Sequence, residues 1–203
     1  MKHKSFLFIV GACVATVCSG APLTFDFKDP KGVNNVIFKT DAPLESINGT
    51  ATAISGSVTF DPANPAALSG RIVVAASSLH LGNPMQKEHL HSDKWLNVAK
   101  YPEIIFETTK VANVKTSDNV TTADVTGKMT LHGVTKEITA PVKLTYLKDK
   151  LKQRLPGKEG DLLVLRSTLI IKRTDFAINP GTFEDKVSND IELNLSLAGA
   201  ASK

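Results

Sequence analysis

Three of the five histidines lie close together in the sequence, and histidine is the side chain that most often serves metal binding or acid–base catalysis near neutral pH. They are His80, His89 and His91. On a helix, positions two apart point about 200° away from each other, so His89 and His91 could not share one ion there. The chain has no HExxH spacing. The pattern therefore predicts no metal site, and it favours histidines that cap or cover a surface.

The sequence offers no other arrangement typical of catalysis. It has no GxSxG motif, and Ser77-Ser78 has no flanking glycines that could form a nucleophile elbow. Glycine-rich phosphate loops are also absent, and the acidic residues are spread over the polar faces of predicted strands. We therefore predict a protein that is not an enzyme and uses no cofactor.

Composition limits the classes of function further. The 203 residues are 42% hydrophobic and 22% charged, as in a folded globular protein, with a net charge of +4. Removal of the first twenty residues would leave 22 basic and 20 acidic side chains. That balance is too even for a nucleic-acid-binding surface, and no basic run with interspersed aromatic residues occurs.

The first twenty residues differ from the rest. Two lysines in the first four residues precede an apolar run over 5–17, and small residues follow. This pattern predicts a signal peptide over residues 1–20, cleaved near Gly20, and a periplasmic or secreted protein. An N-terminal membrane anchor and lipidation at Cys13 are the alternatives. Both cysteines lie in this segment, so the mature chain, residues 21–203, would have no disulfide.

Most of the remaining chain alternates apolar and polar residues with a period of two, most clearly over 123–131 and 136–147. The pattern predicts about eight antiparallel strands with one apolar face each. We expect an all-β domain, an antiparallel eight-stranded β-barrel, and the alternative is a two-sheet sandwich. Asn48-Gly49 is predicted to form a turn before one long strand over 50–60.

One segment interrupts the strands. Pro84 can begin a helix, and Tyr101-Pro102 ends the segment before the next strand, which predicts a short helical insert over about 84–98. Two interpretations of the barrel interior remain open: a filled dry core, or a cavity for a ligand. The insert favours the cavity, because a filled barrel needs no helical segment across its end.

Four stretches resemble the signature sequences of the YceI-like family, and together they extend over the mature chain in the expected order. They are 56–61 (GSVTFD), 88–106 (EHLHSDKWLNVAKYPEIIF), 127–136 (GKMTLHGVTK) and 172–178 (KRTDFAI). The resemblance implies a lipocalin-like barrel that is exported and linked to stress responses. It also implies binding of polyisoprenoids, such as isoprenoid quinones and their precursors, or of fatty-acid amides, with no established catalytic activity.

The sequence departs from the family pattern in two places. Family members often carry a histidine early in the first barrel strand and another at its end, where this chain has Asn34-Asn35 and Asp41. The polar contacts at the mouth of the barrel are therefore expected to differ. Ala177 stands where a glycine is usual, and we expect this change to affect only a turn.

The resemblance and the apolar strand faces together give a set of candidate ligand-binding residues. Those from the strands and the insert would surround a tail, Phe176 and Phe183 would come from the loop after the seventh barrel strand, and His89 or Arg173 would meet a polar head group. The full set is Phe38, Ile54, Phe60, Leu79, Met85, His89, Leu90, Trp95, Phe106, Met129, Arg173, Phe176 and Phe183.

The expected partner is a polyisoprenoid or another long-chain lipid, which is bound without being chemically changed. A homodimer and a peripheral contact with a membrane during ligand exchange are further expectations, and nucleic acid is not expected. Two alternatives remain. One is a structural or stress-response module with a filled core. The other is an isoprenoid-modifying enzyme, which would need a cluster of polar catalytic groups inside the barrel.

Overall fold

The computed structural model describes residues 21–203, so the predicted signal peptide and Cys13 lie outside the described residues. In this range eleven strands form one antiparallel sheet, with two short helices, α1 (Pro84–His91) and α2 (Leu151–Arg154). Neither of these helices is long and apolar enough to cross a membrane. The strands are β1 (Leu23–Asp26), β2 (Asn35–Asp41), β3 (Ser46–Ala51), β4 (Ile54–Phe60), β5 (Ser69–Ala75), β6 (His80–Leu81), β7 (Glu103–Ser117), β8 (Val120–Leu131), β9 (Val134–Leu147), β10 (Gly160–Lys172) and β11 (Asp190–Ser202).

Eight of these strands close into a barrel. Their order around the ring is β1-β4-β5-β7-β8-β9-β10-β11, and the ring closes where Asp26 of β1 pairs with Ala200 of β11. A closed ring buries one face of every strand and leaves few unpaired edges. The prediction of an eight-stranded antiparallel barrel is confirmed, and the two-sheet alternative is wrong.

The barrel is wider at one end because β11 has two different partners on the same side. Near its C-terminal end β11 pairs with β1, whereas its residues 192–196 pair with β2. Strand β2 in turn pairs with β3, and β3 pairs with β6. Beside β11, one end of the barrel thus has the single strand β1, and the other end has the β2–β3 hairpin in its place. We call this wider end, where α1 and the loop of residues 173–189 lie, the mouth.

Strand β11 changes its partner from β1 to β2 at a point that we call the fork. Asn34 lies there, and its side-chain amide makes the hydrogen bonds to β11 that a peptide group of a continuous strand would make. Its Oδ1 accepts from the backbone N–H of Ala198 at 2.8 Å, and its Nδ2 donates to the Ala198 carbonyl at 3.0 Å. Nδ2 also donates to the carbonyl of Phe27 at 3.0 Å. Asn34 is almost fully buried, so these contacts satisfy groups that water cannot reach.

The loop before Asn34 is organised by the carboxylate of Asp29. This carboxylate accepts from the backbone N–H groups of Lys31, Val33 and Asn34 and from the guanidinium of Arg154, which is 2.8 Å away. Burial would raise the pKa of Asp29, but these hydrogen bonds and the positive charge of Arg154 together lower it. The ionised carboxylate therefore stabilises the fork.

The end of the barrel opposite the mouth is filled by aromatic side chains. Phe25 and Phe60 are fully or almost fully buried, and the ring of Tyr146 packs against both at centroid distances of 6.3 Å. The hydroxyl of Tyr146 donates to Asp161 at 2.6 Å. Burial and the hydrogen bond to the carboxylate both raise the pKa of this phenol. This aromatic plug closes one end of the barrel.

Three details of the predicted elements are corrected. The insert begins at Pro84 as predicted, with Asn83 Oδ1 accepting from the N–H of Met85 at 2.9 Å, but the helix ends at His91. Residues 92–100 form turns instead, in which Asn97 is in the left-handed region (φ 47°) and Leu96 is buried. The predicted long strand over 50–60 is two strands, and Asn48-Gly49 lies inside β3.

The departure at Ala177 does fall at a turn. Ala177 follows the 3-10 turn Arg173–Phe176 and has φ 55° and ψ 30°, the left-handed conformation that glycine adopts most easily. An alanine in this region costs about 1–2 kcal/mol, so the surrounding hydrogen bonds must hold it in place. Its own N–H bonds to the carbonyl of Thr174 at 3.1 Å.

We predict that Asn34→Ala lowers the free energy of unfolding by about 3 kcal/mol. It removes three hydrogen bonds to the backbone of Phe27 and Ala198, worth about 1 kcal/mol each, and a longer one of 3.3 Å from Arg154. Urea unfolding followed by circular dichroism measures this. Asn35→Ala, which removes a single exposed hydrogen bond to Val33, is the matched control and should change stability by about 0.5 kcal/mol or less. Equal effects of the two substitutions would show that the fork does not depend on Asn34.

We also predict that Asp29 makes stability sensitive to acid. Because the pKa of Asp29 is lowered in the folded chain, its contribution is complete above the ordinary carboxyl pKa of about 3.9 and is lost as the pH falls through the lowered value. Asp29→Asn should be less stable at pH 7 and should lose less stability than wild type between about pH 5 and pH 2. Urea midpoints across this range, with the exposed Asp118→Asn as control, measure the difference. Parallel pH curves for wild type and Asp29→Asn would contradict this role.

Candidate ligand cavity

The barrel encloses a cavity of about 780 Å³, a volume within the usual range for ligand sites. Its wall is formed by the inward-facing residues of the long strands. Ile138, Leu193 and Leu195 are only half-buried although they face inward, because their side chains border the cavity instead of packing against other side chains. The interior is therefore not the filled core that the sequence left open as an alternative.

The cavity is deep and almost entirely apolar along its wall. On β11 its lining runs from Ile191 near the mouth to Leu197, a distance of about 20 Å along the strand. Leu197 already belongs to the buried cluster that contains Phe25 and Phe60 of the aromatic plug. The shape is a sac with one open end, which suits a long apolar tail.

Two glycines make room for phenylalanine rings in the wall. A Cβ atom at Gly49 would overlap the ring of Phe38, its direct partner across β2 and β3. A Cβ atom at Gly127 would likewise overlap the ring of Phe106 on the neighbouring strand β7. Both rings can therefore lie against the backbone of the next strand. This explains why Asn48-Gly49 belongs to a strand although the dipeptide is typical of turns.

Polar side chains are concentrated at the mouth. Glu45, Gln86, His89, Lys94 and Lys186 line it, and they come from the β2–β3 turn, from α1 and the turns after it, and from the loop 173–189. A tail held in the cavity would therefore place a polar head group among groups that can hydrogen-bond or carry charge.

The segment 84–98 covers part of the mouth and is held by side-chain contacts. The indole of Trp95 packs against the ring of Phe183 with centroids 5.9 Å apart, and the side-chain amide of Asn179 donates to the carbonyl of Lys94 at 2.7 Å. Nε2 of His91 donates to the carbonyl of Leu79 at 2.8 Å. No residue of α1 itself is fully buried. Helix α1 itself therefore lies at the surface, and these contacts hold the segment over the mouth.

Arg173 lines the cavity, but its guanidinium is fully used by the protein. Burial lowers the pKa of Arg173, an effect partly offset by Glu184, and an arginine remains charged even so. All five of its N–H groups point at backbone carbonyls of the loop 173–189, which are those of Ile178, Asn179, Thr182, Val187 and Ser188. Arg173 therefore orders the loop at the mouth and has no N–H free for a head group, contrary to the sequence-based expectation.

The structure places nine of the thirteen predicted residues at the cavity: Phe38, Leu79, His89, Leu90, Trp95, Phe106, Met129, Arg173 and Phe183. The other four lie elsewhere. Phe60 belongs to the aromatic plug, and Ile54 is buried in the same lower cluster. Phe176 is buried behind the mouth in a second cluster, and Met85 is 65% exposed on the outer side of α1. Alternation identifies the inward face of a strand, but it cannot tell which inward residues border a void.

The sequence-based set missed much of the wall. The aliphatic residues of β9, β10 and β11 that face inward were recognised as strand residues and not as lining, although their alternation carried the signal: Ile138, Leu169, Leu193 and Leu195. Thr40 was missed as well, although it shares the inward face of β2 with Val36 and Phe38. A polar residue at an inward position of an apolar strand is the signal that could have identified it.

The histidines serve separate places in the structure. His89 lines the mouth, whereas Nδ1 of His132 lies 3.2 Å from the carbonyl of Phe176 and the His132 ring packs edge-on against Tyr101. Within residues 21–203, no group of three or more histidine, cysteine or acidic side chains could hold a metal ion. In the same range, no hydrogen bond joins a histidine side chain to a carboxylate.

A family model for the YceI-like domain matches residues 30–198. The chain belongs to the YceI-like family. One relative is a UPF0312 protein of Enterobacter sp. (strain 638), which is 40% identical over 147 residues, with 71% of this chain and 73% of the relative covered. Protein YceI of Salmonella arizonae is 33% identical over 155 residues, with 76% of this chain and 74% of the relative covered.

Solved structures show the same YceI-like fold. BcnA of Burkholderia cenocepacia superposes with a TM-score of 0.66 at 23% identity, covering 81% of this chain and 95% of BcnA. The YCEI protein of Campylobacter jejuni gives a TM-score of 0.63 at 26% identity, with 76% and 85% covered. A polyisoprenoid-binding domain from Saccharophagus degradans, implicated in plant cell wall breakdown, gives 0.63 at 15% identity, with 89% and 99% covered.

Proposed function

We propose that this YceI-like barrel binds a long-chain amphiphile, such as a polyisoprenoid, with the tail in the cavity and the head group at the mouth, and that it does so without catalysing a reaction. The observation that carries the proposal is the deep, apolar cavity of about 780 Å³ with polar groups gathered at its mouth. The structural neighbour from Saccharophagus degradans, a polyisoprenoid-binding domain, supports the same class of ligand.

The energetics of the cavity favour an occupant. An apolar wall that faces water instead of other side chains forgoes the stabilisation of about 25 cal/mol per Å² that burial of its surface would contribute. A tail reverses the balance, because each buried CH₂ group contributes about 0.8 kcal/mol before the entropy of binding is subtracted. A purely structural module would gain nothing from such a void.

We predict that Leu193→Trp blocks the cavity and abolishes lipid binding. Leu193 is half-buried and faces the cavity, so the larger ring has space to fill and need not lower stability. The matched control is Asn194→Trp, which adds the same ring at the next position, on the exposed outer face. Mass spectrometry of lipid extracts from protein purified from its native host should find a near-stoichiometric amphiphile with wild type and Asn194→Trp. With Leu193→Trp it should find little or none.

Two results would contradict this function. Wild-type protein free of any amphiphile would remove the proposed ligand altogether. Equal lipid content in Leu193→Trp and Asn194→Trp would place the lipid outside the barrel, on a surface that both substitutions leave intact.

We further propose that the mouth contacts a membrane when the ligand is exchanged. Large apolar side chains at the mouth are exposed to solvent: Leu44 (66%), Met85 (65%) and Phe183 (55%). They lie on neighbouring segments, since the N–H of Leu44 bonds to the carbonyl of Asp185 and Met85 precedes the mouth residue Gln86. A tail with little solubility in water would pass most easily from a bilayer into a mouth that touches it.

Removal of these apolar contacts should slow exchange and leave affinity unchanged. Leu44→Ser combined with Met85→Ser alters two exposed side chains that do not line the cavity, and we expect about tenfold slower lipid transfer between phosphatidylcholine vesicles. The matched control combines Ile37→Ser and Ile170→Ser, which are exposed on the outer faces of β2 and β10. Transfer rates that fall equally in both double variants would count against a specific contact at the mouth.

A further inference from the structure

Thr40 is a polar residue with an unusual position in the apolar wall. It follows Val36 and Phe38 on the inward face of β2, pairs with Ile47 across the β2–β3 hairpin, and lines the cavity near the mouth. The residue is only 5% exposed. Its hydroxyl oxygen Oγ1 is buried and has no hydrogen-bond partner among the described residues.

An unpartnered hydroxyl in such a place destabilises the empty barrel, since the hydroxyl loses its contacts with water and gains nothing in return. Ser167, another hydroxyl residue that lines the cavity, shows the ordinary arrangement: its Oγ donates to the carbonyl of Pro141 at 2.8 Å. A valine at position 40 would fit the same wall without this cost. The position of Thr40 therefore favours a hydrogen-bond partner that comes from outside the protein.

We propose that the Thr40 hydroxyl is the hydrogen-bond partner of an uncharged polar group, an alcohol, phenol or carbonyl oxygen, at the head end of the bound tail. This assignment rests on the proposed function and specifies the class of ligand. A rotation of about 120° around the Cα–Cβ bond of Thr40 moves Oγ1 to a neighbouring staggered position. In this way the hydroxyl can turn from the wall toward a ligand.

The surroundings of Thr40 favour a head group without charge. Arg173, the buried cation at this end, has all its N–H groups occupied by carbonyls. Glu45 lies two positions before Ile47 and lines the mouth, where it would repel an anion. A carboxylate or phosphate at the level of Thr40 would lose its water and gain one neutral hydroxyl in exchange. Lys94 and Lys186 also line the mouth, so a charged head group would have to stay beside them instead.

The experiment uses three probes with one saturated isoprenoid skeleton: phytane, phytanol and phytanic acid. They differ only at one end, as hydrocarbon, alcohol and carboxylic acid. Binding to delipidated wild type, Thr40→Val and Thr40→Ser is measured by competition with a fluorescent long-chain probe. Thr40→Val replaces the hydroxyl by a methyl group of similar size, and Thr40→Ser retains the hydroxyl. The melting temperature of each empty protein is measured in parallel.

We expect Thr40→Val to weaken phytanol binding about fivefold and to leave phytane binding unchanged, with Thr40→Ser close to wild type for both. The empty Thr40→Val protein should melt about 2–4 °C higher than wild type, because its wall no longer contains an unpartnered hydroxyl. A structural threonine would give the opposite sign, so a lower melting temperature together with unchanged phytanol binding would overturn the assignment.

Two further outcomes separate this inference from the function on which it rests. Tighter binding of phytanic acid than of phytanol to wild type would overturn the uncharged head group, while the cavity would remain a lipid site. Failure of wild type to bind any of the three probes would overturn the proposed function, and the role of Thr40 with it.

Discussion

The side chain of Asn34 makes the shape of this barrel possible. A barrel of constant width would have one strand beside β11 along its whole length, with a continuous ladder of peptide hydrogen bonds. Here the neighbour changes from β1 to the β2–β3 hairpin, and the Asn34 amide bonds to both the N–H and the carbonyl of Ala198 at the point of change. Asp29 and Arg154 fix the loop that presents this amide. Without these contacts the seam would contain unpaired buried peptide groups.

The fork separates two ends with different physical tasks. The end with β1 is narrow enough for Phe25, Phe60 and Tyr146 to fill, and this packing contributes stability. The end with the β2–β3 hairpin is wider, so side chains of ordinary size cannot meet across it and a cavity remains. The packed half can thus stabilise a half that encloses a cavity. At the mouth, Arg173 is likewise desolvated by burial, and its hydrogen bonds order the loop 173–189.

The sequence predicted the barrel because period-two alternation depends only on which face of a strand is buried. It also predicted the start of α1, since Pro84 acts locally. It failed where a distant residue decides the outcome. Asn48-Gly49 resembles a turn, but the ring of Phe38 on the next strand requires the glycine there. Phe60 and Phe38 have the same inward pattern, yet one fills the plug and one borders the cavity. That difference arises from the fork, which no local pattern reports.

The closed lower end would also restrict how the proposed ligand moves. Because the aromatic plug blocks one end of the sac, water in the cavity must leave by the opening through which the tail enters. A tail of the proposed kind would enter first and leave last, so a second molecule could not push the first one through. With one opening, the cavity would take up and release the proposed ligand one molecule at a time, and it could not serve as a channel through which molecules pass in sequence.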